Sequence, residues 1–329
     1  MDAEIPLYLR IGRSKDGRKE QEFAWYLADL KEGRVISNPI VDEDSRIPPW
    51  GIAAVFVGSY LYVLGGHGGS DRNPVTDVFF VDTKRPQEGW TKAASMRCPR
   101  IRASAITVGG KIYVFGGQGD LGEVFDPTTN SWDQFPQPPF VDCLGFGPDR
   151  RVYLDCPVQL DSVKRRILIK FMKLSCFVAY YFEEERWTLL DSTKFNNLPR
   201  PAVIVDDVLY FLRHFQLYRY LSAFDLDNGK TLDLVWSADL ESDAKVVKCS
   251  TYTGWCVMLR LGKGKLCLAF NGVYVCNKWH PLLILEVGMT PDLKVEVSRV
   301  SCKGLQVELD GRVDLDGRVE ITYYLTPQP

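Results

Sequence analysis

Residues 111–127 read KIYVFGGQGDLGEVFDP, an apolar run that ends in two glycines and continues as a G-x-G-x-x-G pattern over residues 117–122. This pattern, directly after a strand, holds a dinucleotide pyrophosphate when a helix follows the third glycine. Here residues 123–125 alternate as a strand does, and the Asp-Pro-Thr-Thr-Asn turn at 126–130 would stop a helix. The stretch therefore favours a turn between two strands over a nucleotide site.

The same arrangement occurs earlier in the chain. Residues 52–90 and 103–132 both contain a small apolar strand, a two-residue turn, a strand ending in Gly-Gly, a variable loop, a strand ending in Asp, and a Trp. The glycine pairs, 65/66 and 116/117, lie 51 residues apart. A period of about this length is typical of a four-stranded propeller blade.

These two units resemble the kelch repeat, whose hallmarks are the glycine pair, a Tyr just before it and a Trp near the end of the blade. Trp90 and Trp132 stand at the two blade ends. The template aligns four weaker copies that lack Gly-Gly, and the resemblance implies an all-β fold, a single six-bladed kelch β-propeller. The tyrosine position in the six copies is assigned to Tyr8, Tyr62, Tyr113, Tyr153, Tyr210 and Leu268.

The six copies fill one domain over residues 1–329, and the C-terminal segment is expected to close the ring. Only six residues precede Leu7, so the first blade would lack its innermost strand and leave an open sheet edge. Asp-Gly pairs at 310/311 and 316/317 signal a hairpin, and we predict that residues 319–325, VEITYYL, complete the first blade. The expected blades and closing segment are 6–45, 50–97, 101–138, 140–193, 200–240, 245–300 and 305–325.

Composition excludes several classes of function. A formal net charge of −2 argues against a nucleic-acid binder that relies on a basic field. No apolar run approaches the ~20 residues that span a bilayer, and the first residues lack the pattern of a secretory leader. Nine scattered cysteines without C-x-x-C favour reduced thiols. We therefore expect a monomer in the cytoplasm, and also in the nucleus, without a nucleic-acid or membrane partner.

Metal-dependent catalysis has little support in the sequence. The three histidines, His67, His214 and His280, have no ligand-like spacing, and they do not fit the E-x-x-x-D-x-x-x-H motif of the kelch-like nitrile-specifier proteins. Galactose-oxidase-like enzymes are secreted copper proteins, which the predicted reduced thiols argue against. We expect no metal and no cofactor. An enzyme would be metal-independent, with His67, Arg102 and His214 as candidate acid, base or anion-stabilising groups.

The candidate binding residues follow from propeller geometry. Segments that lead into the innermost strands and loops between second and third strands gather around one mouth of the central channel. In kelch adaptors of ubiquitin ligases, an Arg just before the innermost strand recognises acidic peptides, and the run 99–105, PRIRASA, places Arg102 there. An exposed Arg or an ion pair between blades is the alternative for Arg102. The predicted mouth positions are Arg13, Trp50, His67, Arg102, Gln118, Asp142, Arg213, His214, Phe215, Trp279 and His280.

Three functions remain open at this point. The first is an interaction module that binds an acidic peptide or anionic protein partner at the mouth. The second is a propeller enzyme acting on a small anionic or aromatic plant metabolite, and the third is a structural scaffold. The chain resembles plant F-box/kelch proteins, but an F-box needs roughly forty to fifty helical residues before the first blade, and we expect none here.

Overall fold

The computed structural model describes most of the chain. The described residues are 6–14, 21–30, 32, 34–36, 40–41, 47–68, 73–140, 151–152, 154, 158–162, 164–171, 177–190, 202–206, 208–215, 218–237, 255–262, 264–271, 279–292, 294–306 and 319–325.

Within these residues the secondary structure is almost entirely β, with one short 3₁₀ helix at Pro86–Glu88. The strands, in chain order, are β1 (Leu7–Ser14), β2 (Gln21–Asp29), β3 (Arg34–Val35), β4 (Ile40–Val41), β5 (Ala53–Val57), β6 (Tyr60–Leu64), β7 (Val78–Asp82), β8 (Thr91–Lys92), β9 (Ser104–Val108), β10 (Lys111–Phe115), β11 (Gly117–Gln118), β12 (Gly122–Asp126), β13 (Ser131–Gln134), β14 (Arg151–Val152), β15 (Gln159–Asp161), β16 (Arg166–Lys170), β17 (Phe177–Tyr181), β18 (Arg186–Leu190), β19 (Ala202–Val205), β20 (Val208–Phe215), β21 (Tyr218–Asp225), β22 (Lys230–Leu232), β23 (Leu234–Trp236), β24 (Trp255–Arg260), β25 (Lys265–Asn271), β26 (Trp279–Met289), β27 (Val295–Gln306) and β28 (Val319–Leu325).

The strands form six antiparallel blades, which confirms the predicted six-bladed β-propeller. From the innermost to the outermost strand, the blades are β28-β1-β2-β3, β5-β6-β7-β8, β9-β10-β12-β13, β15-β16-β17-β18, β19-β20-β21-β22 and β24-β25-β26-β27. Blades six and one belong to one continuous sheet, because Gln306 at the end of β27 pairs with Arg34 of β3. The small strands β11 and β14 pair with each other between blades three and four.

The core consists of six apolar clusters, one at each junction between neighbouring blades. The alternation along β10 shows how the sequence produces this arrangement. Ile112 and Val114 pack with residues of blade two, whereas Tyr113 and Phe115 pack with residues of blade four. Because successive side chains of a strand point to opposite faces, each blade is apolar on both sides and needs two neighbours.

Ring closure follows the predicted scheme. Strand β28, Val319–Leu325, lies antiparallel to β1, with Leu9 opposite Tyr324. The junction between blades six and one contains its own apolar cluster, in which Leu7 and Leu9 pack with Cys267 and Ala269. The C-terminal strand therefore supplies the innermost strand of the first blade.

The blade tryptophans connect neighbouring blades. The indole Nε1 of Trp132 donates to the carbonyl of Ala94 at 2.8 Å, in the segment after the outer strand of blade two. Trp187 makes the equivalent bond to Pro136 of blade three at 3.1 Å. These bonds secure the outer edge of a blade to the one before it. Trp236 differs, because β23 pairs in parallel with β27 of blade six.

The register of blades four and six differs from the sequence prediction. Tyr153 lies outside the described residues, and the second strand of blade four is β16, in which Arg166 stands opposite Tyr181. In this register Leu168, opposite Ala179, occupies the tyrosine position, and the buried charged residues Arg166 and Lys170 at the two ends of β16 concealed the strand. In blade six that position belongs to Cys267, opposite Ile284, one residue before Leu268.

We predict that removal of residues 319–329 destabilises the whole ring, because it exposes the inner edge of β1 and opens the junction to blade six. The thermal unfolding midpoint should fall by more than about 5 °C, since each kcal/mol moves the midpoint of a large domain by roughly 2–4 °C. Removal of residues 326–329, which spares β28, is the control. Equal midpoints for the two truncated chains would contradict the closure.

Buried tyrosines should make the propeller sensitive to alkali. Burial raises the pKa of Tyr62 to about 12, so its folded form stays protonated where an unfolded chain ionises. Its contribution to stability is complete below pH 10 and is lost as the pH rises toward 12. In the Tyr62→Phe variant, the free energy of unfolding should fall less steeply as the pH rises through this range, by the equivalent of up to about one proton. Chemical denaturation at several pH values measures the slope, and equal slopes in the variant and the wild type would contradict the prediction.

Candidate functional site

The predicted mouth residues of blade two lie together. The backbone of Trp50, in the segment leading into β5, pairs with His67 in the loop after β6, and the His67 amide donates to the Trp50 carbonyl at 2.9 Å. His67 Nδ1 lies 2.6 Å from the carbonyl of Gly68. Since a carbonyl only accepts, this contact assigns the ring proton of neutral His67 to Nδ1. Both side chains are partly exposed at the surface.

Trp50 is held from the side of blade one. Its ring meets that of Phe23 edge to face, with centroids 5.2 Å apart. The guanidinium of Arg10 lies 4.2 Å from the centroid of Phe23, and its Nη1 donates to the carbonyl of Pro49 at 2.8 Å. Arg10 is buried, so this cation orders the segment that carries Trp50.

Arg102 has an exposed side chain on an unusual backbone. Its φ is 54°, in the left-handed region, and its amide donates to the carbonyl of Gly51 at 2.7 Å. Within the described part of the chain no carboxylate pairs with Arg102. The ion pair of this segment is made by its neighbour Arg100, with Glu123. The other described non-glycine residues with positive φ all lie in turns within a blade, and they are Asn130, Arg165, Glu185 and Asp206.

Gln118 lies between blades three and four. It belongs to β11, which pairs with β14, so its backbone is opposite Arg151. Its amide donates to the carbonyl of Pro99 at 3.3 Å, two residues before Ile101 and three before Arg102. The structure thus joins Gln118 through the backbone to the same segment that bears Arg102.

The other predicted residues have described backbones but no described side chains. They stand at strand ends on the face where second strands finish and third strands begin: Arg13 in β1, Arg213, His214 and Phe215 at the end of β20, and Trp279 and His280 at the start of β26. Asp142 lies outside the described residues.

A buried ion pair beneath Arg102 was missed by the sequence analysis. Arg100 Nη2 and Nε donate to Glu123 Oε1 at 2.8 and 3.0 Å, and the two side chains are 0% and 1% exposed. The available signal was Glu123 itself, a carboxylate within the otherwise buried strand β12, where an ionised group requires a partner. The Pro-Arg at 99–100 supplies that partner.

Two further observations concern metal ions and membranes. Among the described residues, no three His, Cys, Asp or Glu side chains are grouped so that they could hold a metal ion. Over the same part of the chain, no helix has the length and apolar character to cross a membrane.

Comparison with known proteins agrees with the repeat pattern. The family model described as "FKB95, Kelch-repeats domain" matches residues 21–320. The "Putative F-box/kelch-repeat protein At1g61540" of Arabidopsis thaliana is 30% identical over 189 residues, which cover 50% of this chain and 44% of the relative. The Arabidopsis thaliana F-box/kelch-repeat protein At2g44630 is 23% identical over 227 residues, covering 66% of this chain and 59% of the relative.

The chain thus spans about half the length of these relatives. The matched range runs from the start of β2 to the start of β28, so it covers blades two to six and the outer strands of blade one, with both glycine pairs and the blade tryptophans described above. The chain belongs to the FKB95 kelch-repeat family.

Proposed function

We propose that this kelch propeller is a protein-interaction module that recognises an acidic peptide or another anionic partner. The binding surface would comprise Trp50, His67, Arg102 and Gln118, which we call the mouth cluster. The observation that carries the proposal is Arg102, an exposed arginine in a left-handed conformation immediately before β9. Such a backbone persists only where surrounding contacts impose it, and strained residues concentrate at functional sites.

The chemistry of the mouth cluster suits an anionic partner with apolar parts. A guanidinium binds a carboxylate through two parallel hydrogen bonds. Trp50 and His67 offer ring surfaces beside it, and Trp and Arg are the residues that contribute most at protein interfaces. Because main-chain bonds already fix the backbone of Trp50, His67 and Arg102, little backbone entropy would be lost on binding.

The relatives favour a protein partner over a metabolite. Their names join an F-box to kelch repeats, and repeat propellers of this kind present loops on a rigid scaffold, as interaction domains do. The identity of the partner is a separate question from its charge, so the first test uses defined acidic peptides.

Acidic peptides should bind the purified chain in a manner that depends on Arg102. Fluorescence polarisation with a library of short Asp- and Glu-rich peptides, and amide-substituted counterparts, would identify binders. Arg102→Gly should weaken binding at least tenfold, because loss of a charge-assisted bidentate contact costs about 1.5–3 kcal/mol.

Arg165→Gly is the matched control for this measurement. Arg165 is also an exposed arginine with positive φ, 46°, but it lies in the turn between β15 and β16 on the opposite face, where it pairs with Glu183 at 2.6 Å. Its replacement should leave peptide affinity unchanged. Equal losses in both variants, or no acidic binder at all, would contradict the proposal.

Arg102→Gly should not destabilise the propeller. An L residue in the left-handed region costs roughly 1–2 kcal/mol, which glycine avoids at the expense of greater freedom in the unfolded chain. The free energy of unfolding should stay constant or rise by up to about 1 kcal/mol. Urea denaturation measures it, and a drop of several kcal/mol would assign Arg102 a structural role instead.

A further inference from the structure

The segment 96–102, which leads from blade two into blade three, supplies Arg100 to a buried ion pair with Glu123 of β12. Both oxygens of the Glu123 carboxylate are engaged. Oε2 accepts the amide of Arg97 at 2.6 Å, and Oε1 accepts the amide of Cys98 at 3.2 Å together with two nitrogens of Arg100. One buried carboxylate therefore organises three residues of the segment through four hydrogen bonds.

Arg100 extends this network into blade three. Its remaining terminal nitrogen, Nη1, donates to the carbonyl of Gly116, at the end of β10. A buried ion pair is poor support for a stability role, because well-packed apolar residues often serve as well or better. It does, however, impose one geometry, since each of the three guanidinium nitrogens has a fixed acceptor.

The backbone of the same segment contacts the parts of the chain that carry the mouth cluster. The carbonyl of Arg100 accepts the amide of Gly66 at 2.7 Å, directly before His67. The amide of Arg102 donates to Gly51 at 2.7 Å, directly after Trp50, and the carbonyl of Pro99 accepts the amide of Gln118 at 3.3 Å.

The two glycine pairs make room for this segment. A Cβ on Gly65 would overlap the carbonyl oxygen of Arg100, and a Cβ on Gly117 would lie 2.9 Å from the Cα of Arg100. Both glycines also have positive φ, 62° and 89°. The Gly-Gly of blade two and the Gly-Gly of blade three therefore flank one residue, Arg100, from its two sides.

We propose that Arg100 and Glu123 are positioning residues that fix the relative placement of Trp50, His67, Arg102 and Gln118. They act through the backbone and do not touch the partner. One consequence rests on the proposed function: acidic-peptide binding should require the intact pair of Arg100 and Glu123. Its structural half, the coupling of the four positions, is testable without any ligand.

The test replaces the pair by apolar residues, Arg100→Met with Glu123→Leu, and leaves all four residues of the mouth cluster in place. Residue-resolved amide hydrogen exchange should rise at least tenfold at Gly66, Arg102 and Gln118, and peptide affinity should fall at least tenfold. Unchanged exchange at these amides would overturn the proposal. Faster exchange in a chain whose wild type binds no acidic peptide would sustain the coupling and reject the proposed function.

A second buried pair provides the matched control. Arg166 Nε donates to Asp161 at 2.7 Å, with both side chains at most 2% exposed, beside the turn between β15 and β16 on the opposite face. Arg166→Met with Asp161→Leu removes an ion pair of equal burial. This double variant should leave exchange at Gly66 and Arg102, and peptide affinity, as in the wild type.

A measurement on the wild type guards against a variant that does not fold. In native-state hydrogen exchange with low denaturant, the amides of Cys98, Gly66 and Arg102 should open together, with the same dependence on denaturant, because one network holds them. Opening of Gly66 and Arg102 independently of Cys98 would refute the positioning role.

Discussion

Every blade of this propeller is apolar on both faces, and the need to cover both faces determines the rest of the structure. A blade that packs against a single neighbour still exposes its other apolar face. Only a closed ring covers both faces of all six blades. The antiparallel pairing of β28 with β1 closes the ring and so gives the first blade its inner strand. The apolar cluster between blades six and one is the sixth junction and exists only in the closed form.

The fold was predictable because this constraint leaves a local signature. Period-two alternation, turns of Gly and Asp, and a Trp near each blade end recur wherever a strand must face two neighbours. The closing strand was predictable for the same reason, since a first blade without an inner strand implies a donor elsewhere. Blade four resisted prediction because Arg166 and Lys170 are buried within β16. A charge that finds its partner across a turn, as Arg166 finds Asp161, looks like a surface residue in the sequence.

The candidate site was predictable in part, and the division has a physical cause. Trp50, His67, Arg102 and Gln118 could be grouped because each follows from its position relative to a strand end. The contacts that hold these residues in place could not be predicted. Arg10 contacts Pro49, and Arg100 contacts Glu123, across 39 and 23 residues of sequence. Loops of variable length separate such partners, so no fixed spacing reveals them.

The structure explains where the glycine pairs occur. They are present only in blades two and three, and in this structure those are the two blades that flank Arg100. At the corresponding place blade one has Ile11-Gly12 and blade five has Arg213-His214. The six blades are thus equivalent in their apolar junctions but unequal on the mouth face. A close backbone crossing, a buried ion pair and an exposed arginine occur together at the junction of blades two and three.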